Sequence, residues 1–130
     1  MSWDVFIQHL PMSARRVADI PDEYEGKVLG TRDEVIAKIR AKFPDADFSD
    51  PSWGTLVRDG YSIDICVNGD DIATAITLHV RGADGAVDAV NTLIAALGAR
   101  ALDSWTSEIY EPAIALHSIR RWRAYLQEME

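Results

Sequence analysis

Cysteine is almost missing from this sequence: Cys66 is the only one in 130 residues, and the three histidines are scattered. A single thiol forms no intramolecular disulfide, and this set lacks the four ligands of a structural zinc site. We therefore expect no metal and no cofactor. Because no basic segment followed by an apolar one opens the chain, we also expect no secretion signal and a reducing, cytoplasmic setting.

Long apolar runs and an excess of positive charge are missing as well. No stretch approaches the roughly 20 apolar residues that a membrane-spanning helix requires. The formal net charge is −8, from 21 acidic residues against 13 Lys and Arg, and it repels nucleic-acid phosphates and anionic membranes. We therefore expect no nucleic-acid and no membrane partner. A basic protein partner suits this charge, although solubility alone also explains it.

What the sequence does have is the composition of an ordinary globular domain. Hydrophobic residues make up 48% and charged residues 26%, a balance too apolar for a disordered chain. A chain of this length has room for one domain and buries enough surface to fold without disulfides or metals. We expect a single α+β domain over residues 1–130.

Hydrophobic periodicity predicts the order of the elements. Two helices are expected after the N-caps Thr31 and Asp84, the first ending before Pro44 and the second at Gly98. Alternating or β-branched segments predict five strands: residues 3–10, 53–58, 61–67, 72–81 and 100–104. Turn-forming residues predict three connections, the middle one acidic: residues 12–30, 45–51 and 68–71.

A third helix, over residues 114–129, is expected at the end of the chain. Its apolar residues recur at helical spacing on one side: Leu116, Ile119, Trp122, Leu126 and Met129. The whole order is typical of a ferredoxin-like β-α-β-β-α-β core, an antiparallel sheet with two helices on one face. The C-terminal amphipathic helix is added to that core.

Two neighbouring strands predict a polar sheet face. Ile63 and Ile65 should face the helices together with the apolar residues of 72–81, because a one-residue slip would move that whole set to solvent. The opposite face then carries a set of candidate ligand-binding residues: Ser62, Asp64, Cys66, Thr77 and His79.

The favoured register places Ser62 opposite His79, which leaves Asp64 and His79 as diagonal neighbours. A carboxylate beside a histidine orients the imidazole for general-base chemistry, and Ser62 or Cys66 would then be the nucleophile. The simpler interpretation is a row of polar residues on a half-exposed sheet. Since no Gly-x-Ser-x-Gly motif is present, we assign no catalytic residue.

Acidic residues and tryptophans form a second candidate set. The aspartates of residues 45–51 do not fit a calcium loop, because Asp50 and Leu56 stand where an EF-hand has its glycine and its last acidic ligand. Carboxylates and tryptophans are, however, common in contacts with basic proteins. We therefore name six candidate partner-binding residues: Asp45, Asp47, Asp50, Trp53, Trp105 and Trp122.

Four segments are informative together: residues 2–8, 44–54, 79–82 and 100–104. They resemble a family of small bacterial proteins of about this length that has no known activity. The resemblance covers most of residues 1–110 and implies a bacterial, cytoplasmic, stand-alone domain. It transfers no catalytic residue to this sequence.

Three functions are then compared. The leading hypothesis is a non-enzymatic protein-binding domain, an acidic immunity or antitoxin-type inhibitor of a basic effector. The alternative is a small enzyme or ligand-binding module that uses the polar sheet face around Asp64 and His79. A third is self-association, in which that face is buried in a symmetric dimer.

Overall fold

A computed structural model describes residues 2–24, 26–67, 71–82, 84–112 and 114–128. The three α-helices are α1 (Arg32–Lys42), α2 (Gly85–Leu97) and α3 (Ala115–Glu128), and a short 3-10 helix covers Val17–Asp19. The strands are β1 (Trp3–Gln8), β2 (Gly30–Thr31), β3 (Asp47–Asp50), β4 (Trp53–Arg58), β5 (Tyr61–Val67), β6 (Ile72–Ala73), β7 (Ala75–Gly82), β8 (Arg100–Asp103) and β9 (Glu108–Ile109).

Seven strands form one antiparallel sheet in the order β3-β4-β5-β7-β1-β8-β9, and β2 pairs with β6 apart from it. The prediction of an α+β fold with an antiparallel sheet is therefore confirmed. The sheet is larger than the four-stranded sheet of the predicted ferredoxin-like core, and the described residues form three helices. Two of its strands, β3 and β9, were not predicted.

The core lies on one face of the sheet. Ile63 and Ile65 of β5 are fully buried, as are the apolar residues that alternate along β7 and β1. Buried residues of all three helices, including Ile39, Leu93 and Ile119, belong to the same cluster. The predicted division of β5 and β7 into an apolar and a polar face is therefore confirmed, and the helices cover the apolar one.

Of the two predicted N-caps, one is confirmed and the other is wrong. Thr31 caps α1 as expected, because the backbone N–H of Glu34 donates to its hydroxyl oxygen at 3.1 Å. Asp84 does not cap α2: its backbone is helical and its side chain accepts no hydrogen bond from the first turn. At the other end, Gly98 adopts a left-handed conformation, φ 60°, and ends α2 as predicted.

Asp84 instead joins α2 to α3. One carboxylate oxygen accepts from Arg120 at 2.9 Å and 3.0 Å, and the other accepts from Arg123 at 3.2 Å. The hydrogen bonds from Arg120, followed by the charges of Arg120 and Arg123, hold the pKa of Asp84 below its ordinary value of 3.8. Two arginines of the last helix, Arg120 and Arg123, thus connect that helix to the start of α2.

We expect this contact to make part of the stability pH-dependent. The folded-state pKa of Asp84 is lowered, so the unfolded state takes up the proton first and protonation favours unfolding. The contribution is complete above the ordinary pKa and is lost as the pH falls through the folded pKa. Urea unfolding from about pH 5 to about pH 2 measures it, and Asp84→Asn should show a shallower acid loss than wild type.

Asp59→Asn is the matched control, because Asp59 is exposed and forms no ion pair with a described residue. It should keep the wild-type pH dependence. If Asp84→Asn and Asp59→Asn lose stability in acid along the same curve, the contact between α2 and α3 contributes nothing that depends on charge.

The return strand predicted over 72–81 is divided in the structure. Ile72 and Ala73 leave the main sheet and pair with Gly30–Thr31, and the sheet resumes at Ala75. The connection from β5 to β7 is therefore longer than a tight hairpin. Of the predicted turn 68–71, residues 68–70 lie outside the described part of the chain.

The last helix begins at Ala115 and buries Ile119 and Trp122 as predicted. Leu116, predicted on the same side, is 36% exposed, because the buried side of the first turn belongs to Ala115 and Ser118. Met129 lies outside the described residues. No helix in the described part of the chain is both long enough and apolar enough to cross a membrane.

Candidate functional site: the open face of the sheet

The face of the sheet opposite the helices is the candidate site, and we call it the open face. Its side chains alternate with the core residues and are half-buried or exposed. Strands β1, β4, β5 and β7 supply its residues: Asp4, Phe6, Trp53, Thr55, Ser62, Asp64, Cys66, Thr77, His79 and Arg81. All five predicted ligand-binding residues therefore lie on one surface.

The pairing on this face differs by two residues from the predicted register. Asp64 lies directly opposite His79, and Ser62 lies opposite Arg81. Since the shift is an even number, the polar residues stay on the same face. The physical reason is the longer connection, in which Ile72 and Ala73 pair elsewhere.

His79 lies in a row of three residues across neighbouring strands. It has Asp64 on one side and Asp4 on the other, and its Nδ1 is 2.8 Å from a carboxylate oxygen of Asp4. Asp64 is instead bound by Arg81, whose guanidinium donates at 2.9 Å. The carboxylate that orients the imidazole is therefore Asp4, which sequence reasoning missed.

A tryptophan connects the two predicted sets of residues. The indole of Trp53 stacks on the imidazole of His79, with 5.7 Å between ring centroids and 20° between ring planes. Trp53 is 43% exposed, so one side of its ring is held by the protein while the rest is open to solvent. One of the six candidate partner-binding residues thus lies on the polar face predicted for ligand binding.

The segment predicted as an acidic loop is an edge strand, β3, beside Trp53. Asp47 pairs with Thr55 and Asp50 pairs with Trp53, with an irregularity between them. Asp50 accepts hydrogen bonds from the Ser52 hydroxyl at 2.7 Å and the Ser52 backbone at 2.9 Å. These bonds lower the pKa of Asp50, so its carboxylate is ionised at neutral pH.

Asp47 has the same arrangement with Ser49, the residue two positions later in the chain. Its carboxylate accepts from the Ser49 hydroxyl at 2.6 Å and the Ser49 backbone at 2.8 Å, and these bonds lower its pKa. Asp45 is engaged differently, because Arg58 donates to it at 2.7 Å. Edge strands with exposed charge resist pairing with other chains. A partner would therefore contact the charged side chains of this edge rather than its backbone.

The other tryptophans of the predicted partner set do not lie on the open face. Trp122 is 5% exposed and packs in the core, so it is not accessible to a partner. Trp105 is half-buried and lies 5.0 Å from the ring of Tyr125 in α3. Amphipathic spacing identifies the apolar side of a helix, but it does not show whether that side faces the domain or another protein.

The two predicted nucleophiles are poorly placed for catalysis. Burial, and then the charges of Asp50 and Asp64, raise the pKa of the half-buried Cys66 thiol, which keeps it protonated and weakly nucleophilic. Ser62 lies opposite Arg81 rather than His79. Among the described residues, no group of three or more His, Cys, Asp or Glu side chains is arranged to hold a metal ion.

Comparison of the chain with protein-family models, with curated proteins and with solved structures gives no match. The geometry of the open face therefore carries the functional argument.

Proposed function

We propose that the protein is a non-enzymatic binding domain that docks a basic protein through the open face. The observation that carries the proposal is Trp53, an exposed aromatic ring held in place by His79 on a polar, acidic surface. The corresponding biological role is an immunity or antitoxin-type inhibitor of a basic effector. A bacterial, cytoplasmic origin belongs to the same proposal.

Trp53 has the properties of a binding hot spot. Tryptophan is enriched among the residues that dominate interface energies, because its ring buries a large area with few rotatable bonds. Stacking on His79 restricts the ring further, which reduces the entropy lost when a partner immobilises it.

The charges around Trp53 favour a partner of positive charge. Asp50 is its register neighbour on the edge strand, and Asp64 lies in the next row of the open face. A net charge of −8 accelerates association with a basic protein and disfavours acidic ones. Arg81 donates to Asp64 within the domain, and an arginine of a partner would compete for the same carboxylate.

The test begins with affinity purification of the tagged protein from its own cells, followed by mass spectrometry of the intact complex. We expect one stoichiometric, basic partner with wild type. Trp53→Ala should weaken that complex at least roughly 30-fold, the equivalent of about 2 kcal/mol. Tyr125→Ala is the matched control, since Tyr125 is also an exposed aromatic residue but lies on α3, away from the open face.

Charge is tested separately from the aromatic contact. Asp50→Asn should lower the association rate and flatten its salt dependence while leaving the dissociation rate nearly unchanged. A partner that binds Trp53→Ala as tightly as wild type contradicts the proposal. Recovery of the protein as a dimer that Trp53→Ala dissociates would replace it with self-association through the same face.

The Asp4–His79 contact favours a second candidate, a ligand-binding module on the same face. A carboxylate 2.8 Å from Nδ1 fixes the tautomer in which Nε2 is the free acceptor, the arrangement a general base needs. This candidate requires a small ligand that shifts the NMR signals of the His79 ring, and Asp4→Asn should abolish that response. If the domain binds a protein and no small ligand shifts the His79 signals, the ligand-binding candidate is excluded.

We propose, finally, that the fold is an enlarged ferredoxin-like core. Four neighbouring strands lie in the order β5-β7-β1-β8. This is the order 2-3-1-4 of the four strands in a β-α-β-β-α-β core. Helix α1 follows the first of these strands in the chain, and α2 precedes the last. The pair β3–β4 would be an addition at one edge and β9 an addition at the other.

A further inference from the structure

A cavity of about 190 Å³ lies away from the open face, between the segment from β8 to β9 and the first turn of α3. Its walls are largely apolar and include Ile109, Ile114 and Ala115. An apolar cavity of about 150 Å³ is large enough to hold benzene. The space therefore has the size of a small organic molecule.

Two buried polar side chains line this cavity. Asp103 is 3% exposed and Ser118 is 4% exposed. Asp103 accepts hydrogen bonds from the Trp3 indole at 2.9 Å and the Trp105 backbone at 2.8 Å, both at Oδ1. Within the described part of the chain, neither the Oδ2 atom of Asp103 nor the Ser118 hydroxyl has a hydrogen-bond partner.

Asp103 differs from the other carboxylates at the cavity, Glu108 and Glu111. Both glutamates are partly exposed and paired with arginines, Glu108 with Arg16 at 3.7 Å and Glu111 with Arg100 at 3.9 Å. Asp103 forms no ion pair with a described residue. The first turn of α3 contributes only the partial positive charge of a helix N-terminus, about half an elementary charge, so the carboxylate of Asp103 has room for a cation beside it.

We propose that this cavity is a binding site for a small organic cation, a primary amine with a compact apolar group. The ammonium group donates to Asp103 Oδ2 and to the Ser118 hydroxyl, and the apolar group fills the space beside Ile109 and Ile114. Asp103 lines the cavity and keeps an unused acceptor at Oδ2 for a donor that enters it. An ammonium group forms a charge-assisted hydrogen bond to that oxygen, which a neutral molecule of the same shape does not.

Benzylamine is the probe, with benzyl alcohol as its neutral analogue of equal size. Methyl NMR signals of Ile109, Ile114 and Ala115 report occupation of the cavity directly. We expect benzylamine to shift these signals with saturation, and benzyl alcohol to bind at least about tenfold more weakly, as the loss of one charge-assisted hydrogen bond predicts. Equal affinity of the two compounds, or no saturable shift with either, overturns the proposal.

Two variants locate the site. Asp103→Asn keeps an oxygen acceptor for Trp3 but removes the charge, and should weaken benzylamine at least about tenfold. Ser118→Leu fills the cavity with a good helix former and should abolish binding. Asp88→Asn is the control, because Asp88 is an exposed acid of α2 outside the cavity. If Asp103→Asn does not fold, Ser118→Leu and the comparison of the two compounds on wild type still decide the matter.

Discussion

Trp3→Ala should destabilise the protein by about 3–5 kcal/mol, the cost of removing a fully buried large aromatic side chain. Trp3 is 0% exposed, its ring lies 6.0 Å from that of Tyr110, and its indole N–H donates to Asp103 at 2.9 Å. Since domains of this size unfold with about 5–15 kcal/mol, the loss is a large share of the total. Urea unfolding followed by circular dichroism measures it.

Trp53→Ala is the matched control, because it removes the same side chain from an exposed position. Its effect on stability should stay below about 1 kcal/mol, although it is the variant expected to weaken partner binding. Trp3→Phe separates packing from the hydrogen bond, since it keeps an aromatic ring but leaves Asp103 without the indole donor. Equal stability of Trp3→Ala and Trp53→Ala would mean that β1 does not lie in the core.

Gly82→Ala should be the second most damaging substitution, with a loss of about 3 kcal/mol or more. Gly82 has φ 114°, and an added Cβ would lie 2.4 Å from the carbonyl oxygen of Gly60 and 2.6 Å from the Cα of Tyr61. Both contacts are with backbone, which cannot move aside without breaking the β5–β7 pairing. Backbone strain and overpacking each cost about 1–3 kcal/mol. Urea unfolding measures the sum.

Gly60→Ala isolates the conformational part of that loss. Gly60 also has a positive φ, 89°, but an added Cβ would meet no atom within 4 Å. We expect a loss of about 1–2 kcal/mol from the unfavourable backbone alone. Similar losses for Gly60→Ala and Gly82→Ala would show that β5 and β7 separate enough to accept a side chain.

The composition of the open face was predictable because it depends on parity alone. In a strand, successive side chains point to opposite faces, so Ile63 and Ile65 in the core place Ser62, Asp64 and Cys66 outside without any knowledge of the fold. The same argument correctly assigned Thr77 and His79 to the outer face. The assignment of faces was correct although the predicted register was wrong by two residues, because an even shift leaves each residue on the same face.

The neighbours of His79 were not predictable in the same way. Asp4 contacts His79 because β1 lies beside β7. The two residues are 75 positions apart in the chain. Trp53 reaches the same ring from β4, two strands away on the other side. No local pattern encodes such contacts, since they depend on the order of strands in the sheet.

The edge strand β3 is another feature that local sequence patterns did not predict. Its residues, Asp47–Asp50, have the composition of a turn, and side-chain hydrogen bonds to Ser49 and Ser52 are typical of one. The segment nevertheless pairs with β4, and Phe48 packs over Gly54, where an added Cβ would lie 2.4 Å from the ring. Tertiary contact with a glycine overrides the local preference.

The sequence by itself determined the class of fold, the face of each central strand, the cap of α1 and the end of α2, because periodicity and capping depend on residues close together in the chain. It also determined the acidic charge. Only the tertiary structure decided that Trp53 is exposed beside His79, that Trp122 is buried and that Asp103 borders a cavity. Those properties depend on which distant segments pack together, and burial is a property of the packed whole.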